Sequence, residues 1–167
     1  RQAVATFLAR AGITANASVK WPNDVLVGGK KVAGILTESH VQAGKLAAVV
    51  VGVGLNVGRV TLPSDIERRA SSLAEAGAFD VDREALLVRI LSELSSRVRG
   101  LEGGDPLETL PETLVAEFAR YDALRGVRIS VDGTGGTAAG IDASGNLLVD
   151  GERGLRYRVA AGHVEIL

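Results

Sequence analysis

Lys20-Trp21-Pro22-Asn23-Asp24-Val25-Leu26-Val27-Gly28-Gly29-Lys30-Lys31-Val32-Ala33-Gly34-Ile35-Leu36 sets two apolar runs about a pair of glycines. That pattern is a strong hairpin signal, because a two-residue primed turn needs positive φ at both of its central residues. The pairing it predicts is Val27 with Lys30, Leu26 with Lys31, Val25 with Val32 and Asp24 with Ala33. Side chains alternate faces along a strand, so Asp24 and Lys31 share a face, diagonal to one another, and can address one ligand together. Pro22 has no N–H to give to a ladder and marks a strand end or bulge, turning Asn23 and Asp24 toward a cavity mouth. Three of the four lysines fall in this segment, in a chain with 19 basic residues. A solvated positive face would be expected to use the commoner arginine, so the concentration reads as a site that handles anions. The plain alternative is an ion-pair cluster on a hairpin.

Outward from the hairpin, Val4, Phe7 and Leu8 with Gly12 as a cap predict an opening helix, and Ser18–Trp21 a strand. The hairpin's second strand is expected to run to about Glu38. The apolar run Leu46–Val57, broken by Gly52 and Gly54, reads as a central strand covered on both faces. Ser64 with Glu67 three residues on is a capping box opening a helix that stops near Gly77. Leu86, Leu87, Ile90, Leu91, Leu94 and Val98 give helical spacing from Asp82 to Arg99, and a third helix starts near Pro111 with Leu114, Phe118 and Tyr121 on one face. Past Arg125 the period becomes alternating, with strands at 127–131, 137–141, 146–149, 155–159 and 163–166, as in a small five-strand barrel, and Gly133–Gly136 reads as a turn. The expected architecture is α+β with a mostly antiparallel sheet over residues 1–122, then a compact β module over 123–167.

The chain of 167 residues is long enough for one well-buried core and a small appendage. Its net charge of −1 favours neither nucleic acid nor an anionic membrane as a partner, so any anion binding is local. With no cysteine there is no disulfide or thiolate metal site, which suits a reducing cytoplasm. His40 and His163 are too few and too far apart to suggest a metal site. The longest apolar run, Leu46 to Val53, is far short of the ~20 residues a membrane helix needs. There is no methionine, even at position 1, so the chain reads as the C-terminal part of a longer protein.

Gly52-Val53-Gly54-Leu55-Asn56-Val57-Gly58 resembles a dinucleotide loop only superficially, since its sixth position is valine and it runs into Arg59-Val60-Thr61-Leu62-Pro63. Glycine in a strand otherwise serves close approach of a ligand or of a neighbouring element, and Asn56 at the strand end could meet a polar ring. Ser39 and His40 are adjacent and point apart, which leaves nucleophilic catalysis without support. Asp65 and Glu67 are explained by the dipole of a helix first turn, and Arg68-Arg69 by a solvated face.

The strings KWPND (20–24), KVAGIL (31–36) and VVVGVGLNV (49–57), in this order and spacing, resemble the catalytic domain of biotin protein ligases, the biotin–acetyl-CoA-carboxylase ligases. The resemblance covers the chain from end to end. It implies the class II synthetase-like biotin/lipoate ligase fold followed by an SH3-like β-barrel. It implies a ligase reaction: biotin and ATP with Mg2+ give biotinyl-5′-AMP and pyrophosphate, and a lysine of a carrier protein then attacks the adenylate. Lys31 would stand between the biotin carboxylate and the α-phosphate. Asp24 would orient or deprotonate the incoming lysine. Lys20 and Asn23 would shape the phosphate side with Trp21 packed behind, Gly34 and Ile35 would offer backbone to biotin, Gly52 and Gly54 would let ligand approach, and Asn56 would read the adenine edge. The partner implied is the biotin carboxyl carrier domain of acetyl-CoA carboxylase or related biotin enzymes, in the cytoplasm, with a homodimer left open as one option. The family's Gly-Arg-rich loop and upstream ureido-binding residues are not in this chain, so alone it is expected to lack full activity. Ala70-Ser71-Ser72 stands where some relatives have a tryptophan over adenine. The alternatives are a non-enzymatic biotinyl-adenylate-binding or repressor module and a lipoate-ligase-like acyl transferase.

Overall fold

The computed structural model describes residues 1–14, 16–59, 66, 68–99 and 109–167, so the Ser64–Glu67 capping box lies outside the described residues. Packing groups the chain into two compact units, Arg1–Ala17 with Asn23–Leu87, and Ser18–Pro22 with Val88–Leu167. The 122/123 boundary follows the change of sequence period. The packing division also sends β1 (Ala17–Lys20) and the helices past Leu87 largely to the second unit. Among the described residues no helix is long and apolar enough to cross a membrane.

In the first unit, α1 (Gln2–Arg10) buries Ala3, Val4 and Leu8. It stops because Gly12 takes the left-handed conformation at φ 71°, allowing the Ile13 N–H to reach back to the Leu8 carbonyl. β2 (Asp24–Val27) and β3 (Lys30–Gln42) form the expected hairpin, with Gly28 and Gly29 at φ 57° and 78°. Its register departs from the alternating ladder read from the sequence. Val27 pairs with Lys30 and Leu26 with Lys31, but a bulge then sets Val25 opposite Ala33 and Asp24 opposite Gly34. The extra residue, Val32, lets two successive side chains, Val32 and Ala33, both be buried.

β3 continues well past Glu38, pairing with β4 (Lys45–Leu55) around an Ala43-Gly44 turn whose residues both have positive φ. Here an expectation fails. β4 is not covered on both faces, for Leu46, Val50 and Val53 are exposed, as is Leu36 opposite. The reason is geometric: β2 pairs only with residues 30–34 of β3, so the rest of β3 and β4 is a two-stranded ribbon, and among the described residues β4 pairs with β3 alone. Residues 73–77 form turns, not helix, and with Ser72 carry a capping box of their own. Ser72 Oγ accepts from the Glu75 N–H, and Glu75 Oε2 accepts from the Ser72 N–H.

The second unit receives α2 (Arg83–Arg99) from the first and adds α3 (Glu112–Tyr121) and β5 (Arg128–Val131) through β9 (Val164–Ile166). Asp82 caps α2, accepting the Glu84 and Ala85 N–H groups at 3.0 Å. The apolar stripe of α2 is buried only at Leu86, whereas Leu87, Leu91 and Val98 are exposed. β6 (Thr134–Ile141), β7 (Leu147–Asp150) and β8 (Arg156–Val159) complete an antiparallel sheet in the order β8-β7-β6-β5-β9. Among the described residues β8 and β9 do not pair, so no closed barrel is seen. The turn after β5 is Asp132-Gly133, so Gly135 and Gly136 are strand residues. Glycine is needed at 136, where a Cβ would lie 2.5 Å from a Val149 methyl carbon.

Asp122 precedes this sheet with one carboxylate oxygen accepting the Leu124 N–H and the other buried, among the described residues, without a hydrogen-bond partner. Burial pushes its pKa up, only partly opposed by that bond and the Arg125 charge. A carboxyl whose folded pKa is raised destabilises the fold at pH above that pKa, and the penalty fades as pH falls through it toward the unfolded value of 3.8. Asp122→Asn should therefore stabilise the protein by about 1 kcal/mol at pH 7, with the gain vanishing near pH 4. Urea melts at the two pH values check this, and a neutral-pH loss would contradict it.

Candidate active site

The bulge between Val25 and Leu26 determines what surrounds Lys31. With one residue inserted, Gly34 falls on the same face as Lys31, and the Lys31 ammonium meets Asp24 Oδ1 at 2.6 Å. Lys31 is about half exposed (46 %) while Asp24 is 15 % exposed, so the carboxylate is set in the wall and the ammonium reaches over it into solvent. A Cβ at Gly34 would lie 3.1 Å from Lys31 Nζ and 3.6 Å from Asp24 Oδ1. Glycine at 34 thus leaves the floor bare beneath the ion pair.

That floor is one wall of a groove of about 490 Å³ lined by Asn23, Lys31, Gly34, Ile35, Leu36, Gly52, Val53 and Gly54. Asn23 braces it, donating Nδ2–H to the Ile35 carbonyl at 2.9 Å, while the Ile35 N–H donates to the Asn23 carbonyl. The side chain is therefore tied to the sheet. Across the β3–β4 ladder Gly34 faces Gly54 and Leu36 faces Gly52, so two glycines of β4 flank the ion pair. A Cβ at either position would meet only ordinary contacts, the nearest at 3.7 Å for Gly52 and 3.9 Å for Gly54, and neither has positive φ. Among the described residues, neither backbone strain nor a neighbour demands glycine there.

The remaining candidates stand differently. Lys20 donates from Nζ to the Val164 carbonyl at 2.8 Å, and the Trp21 indole N–H donates to the Gly145 carbonyl at 3.0 Å, both within the second unit. Trp21 is a core residue there, packed in one cluster with Leu124, Ile129, Leu147 and Val149. The KWPND string thus divides, with Lys20 and Trp21 anchored in one unit and Asn23 and Asp24 beside Lys31 in the other. Asn56 Nδ2 donates to the Ser71 carbonyl at 2.9 Å. Lys30 lines a separate groove with Val27, Gly28, Ser71 and Glu75. Sequence reasoning gave Ser71 no role of its own and missed Glu75, although Ser72 with Glu75 three residues on is the capping-box signal that would have drawn attention to that loop. Among the described residues there is no group of three or more His, Cys, Asp or Glu able to hold a metal ion.

An arrangement of one cation paired to one recessed carboxylate, beside bare backbone, suits a ligand with adjacent negative groups that lies flat against a sheet. Residues 2–56 match the family model described as Biotin/lipoate A/B protein ligase family. The chain is 31 % identical over 163 residues to a protein of Bacillus spizizenii named "Bifunctional ligase/repressor BirA", covering 95 % of this chain and 48 % of that one. It is 35 % identical over 155 residues to the "Biotin--[acetyl-CoA-carboxylase] ligase" of Mycobacterium tuberculosis, covering 90 % and 53 %. It thus spans about half the length of these curated relatives. The solved biotin protein ligase of Aquifex aeolicus in complex with biotin and ATP superposes with a TM-score of 0.76 at 26 % identity, covering 99 % of this chain and 68 % of that one. Residues 2–56 therefore match the biotin/lipoate A/B protein ligase family, and along its length the chain resembles the biotin protein ligases.

Proposed function

We propose that this chain supplies the adenylate-handling part of a biotin protein ligase that joins biotin to a carrier-protein lysine in two ATP-dependent steps. The observation that carries the reading is the Lys31–Asp24 pair over Gly34 in a groove floored by backbone. In the first step a biotin carboxylate oxygen attacks the α-phosphorus of ATP, the bond to the β,γ-unit breaks, and pyrophosphate leaves. Two anions must meet for this, and Lys31 lowers their repulsion where they do. In the second step the carrier amine, freed of a proton that Asp24 accepts, attacks the acyl carbon, and AMP leaves with the bonding electrons. Mg2+ belongs to this reading as the counter-ion of ATP; octahedral Mg2+ keeps most of its shell as water and phosphate oxygens and needs no protein cage.

In the same reading Gly52 and Gly54 are the surface against which biotin lies, Gly34 and Ile35 add backbone contacts, Asn23 holds the Ile35 peptide in place, and Asn56 meets adenine. Lys20 and Trp21 act by anchoring the start of the motif. The five-strand module corresponds to the family's SH3-like C-terminal domain. The partners are biotin, ATP and the carrier domain of acetyl-CoA carboxylase or a related enzyme, and the compartment is the cytoplasm, where ATP and carrier meet. Self-association is tested by sedimentation equilibrium.

Biotinyl-adenylate added to the complete protein should raise its melting temperature with concentration, and the same protein should biotinylate a carrier domain. Absence of both effects overturns the reading. A melting shift without carrier modification would favour a binding or repressor module, the role added in the name of the Bacillus relative. Gly52→Ala and Gly54→Ala discriminate further. Each should leave stability within about 0.5 kcal/mol yet weaken biotinyl-adenylate binding at least tenfold by titration. A lower melting temperature with unchanged affinity would make these glycines packing residues.

A further inference from the structure

The peptide of Lys31 is gripped from the side opposite β2. Its N–H donates to the Arg69 carbonyl and its carbonyl accepts from the Ser71 N–H, both at 2.8 Å, so residues 69–71 add a short parallel bridge at Lys31. β4 provides this edge of β3 only from Ala33 outward. The Asn56 N–H donates to the Val32 carbonyl, and one residue earlier on β3 the 69–71 segment takes over. Asn56 sits at that junction. Its Nδ2 donates to the Ser71 carbonyl at 2.9 Å, and its own carbonyl accepts the Leu73 N–H at 3.0 Å. Ser71 is held a second time by its hydroxyl, which donates to Glu75 Oε2 at 3.0 Å.

We propose that Asn56 is a positioning residue for Lys31, acting through the Ser71 peptide. Rotamer freedom makes a lysine head hard to place, and Asp24 holds only its tip; the origin of the stem is set by the backbone. That backbone lies at a bulge, where the ladder with β2 is interrupted, so the bonds from 69–71 carry more of the constraint. A loop segment gives such constraint only if its own position is fixed, and Asn56 fixes it. The partner being a carbonyl, which only accepts, the amide orientation follows: Nδ2 turns to Ser71 and, among the described residues, Oδ1 is left to accept from a ligand amino group. A nucleobase with an exocyclic amine would then share the residue that aligns the catalytic cation, so base recognition and Lys31 placement are linked.

The inference rests on the reading of Lys31 as the cation of the first step, so the test pairs a kinetic with a structural readout. Asn56→Ala and the near-isosteric Asn56→Asp, which keeps an acceptor and lacks the donor, are made in the complete protein; the second serves if the first does not fold. Both should lower kcat for pyrophosphate release at least tenfold; with Asn56→Asp, which keeps the acceptor, the KM for ATP should move less than threefold, whereas Asn56→Ala, which loses the base contact as well, should also raise it. Amide exchange at Lys31 and Ser71 should quicken at least tenfold, with α1 unchanged. Unchanged kcat with a raised KM for ATP would reduce Asn56 to a base contact and overturn the proposal, as would wild-type exchange at Lys31. If Lys31→Ala itself forms adenylate at the wild-type rate, the functional reading fails, while the exchange data still decide whether the clamp exists.

Discussion

Lys31→Ala in the complete protein is expected to lower the rate of adenylate formation by about 10²–10³-fold, the usual effect of losing one group that stabilises charge developing in a transition state. The fold should survive, because the side chain is half exposed and the Lys31 peptide keeps its bonds to Arg69 and Ser71. Lys30→Ala is the control. The two lysines are neighbours in sequence, yet Lys31 lines the groove with Gly34 and Gly54 while Lys30 lines the one with Val27 and Ser71. A through-space effect of net positive charge would make the two substitutions similar; a positioned cation makes them differ by at least an order of magnitude. Pyrophosphate release at saturating biotin and ATP measures both, and equal losses would remove Lys31 from the reaction.

The sequence revealed more of this site than of the scaffold around it, for physical reasons. The Gly28-Gly29 turn is dictated locally, since few residues but glycine adopt φ of 57° and 78° in succession, and the hairpin and the shared face of Asp24 and Lys31 follow from it. The bulge was not legible. It depends on burying Val32 and Ala33 in succession, which alternation cannot foresee, and it is the bulge that makes Gly34 the residue under the ion pair. The apolar run of β4 was identified as a strand, but its burial was not, because hydrophobicity states what a strand would gain from cover and is silent on what lies beside it. The pinning of the Ser71 peptide by Asn56 escaped for a third reason. It joins residues 15 apart through a side chain and a carbonyl, and a carbonyl has no sequence signature.

Asp24→Asn should separate the two half-reactions. The substitution keeps size and an oxygen that accepts from the Lys31 ammonium, so Lys31 stays near its place and adenylate formation should fall by less than about tenfold, the scale of a weakened charge-assisted bond. What the amide cannot do is take a proton. The acceptor lysine arrives as an ammonium and has no lone pair until it loses one, so transfer should fall by about 10²–10⁴-fold, the range for removal of a general base. The 15 % exposure of Asp24 matters here, because a recessed carboxylate beside Lys31 is shielded from competing bulk water. Single-turnover transfer from isolated biotinyl-adenylate to a carrier domain measures the second step without the first. Raising the pH offers an internal check: more of the acceptor amine is then already deprotonated, and the mutant should recover part of its loss while the wild type changes less. Transfer at the wild-type rate, or a deficit that does not shrink with pH, would leave the Asp24 carboxylate as a partner of Lys31 and nothing more.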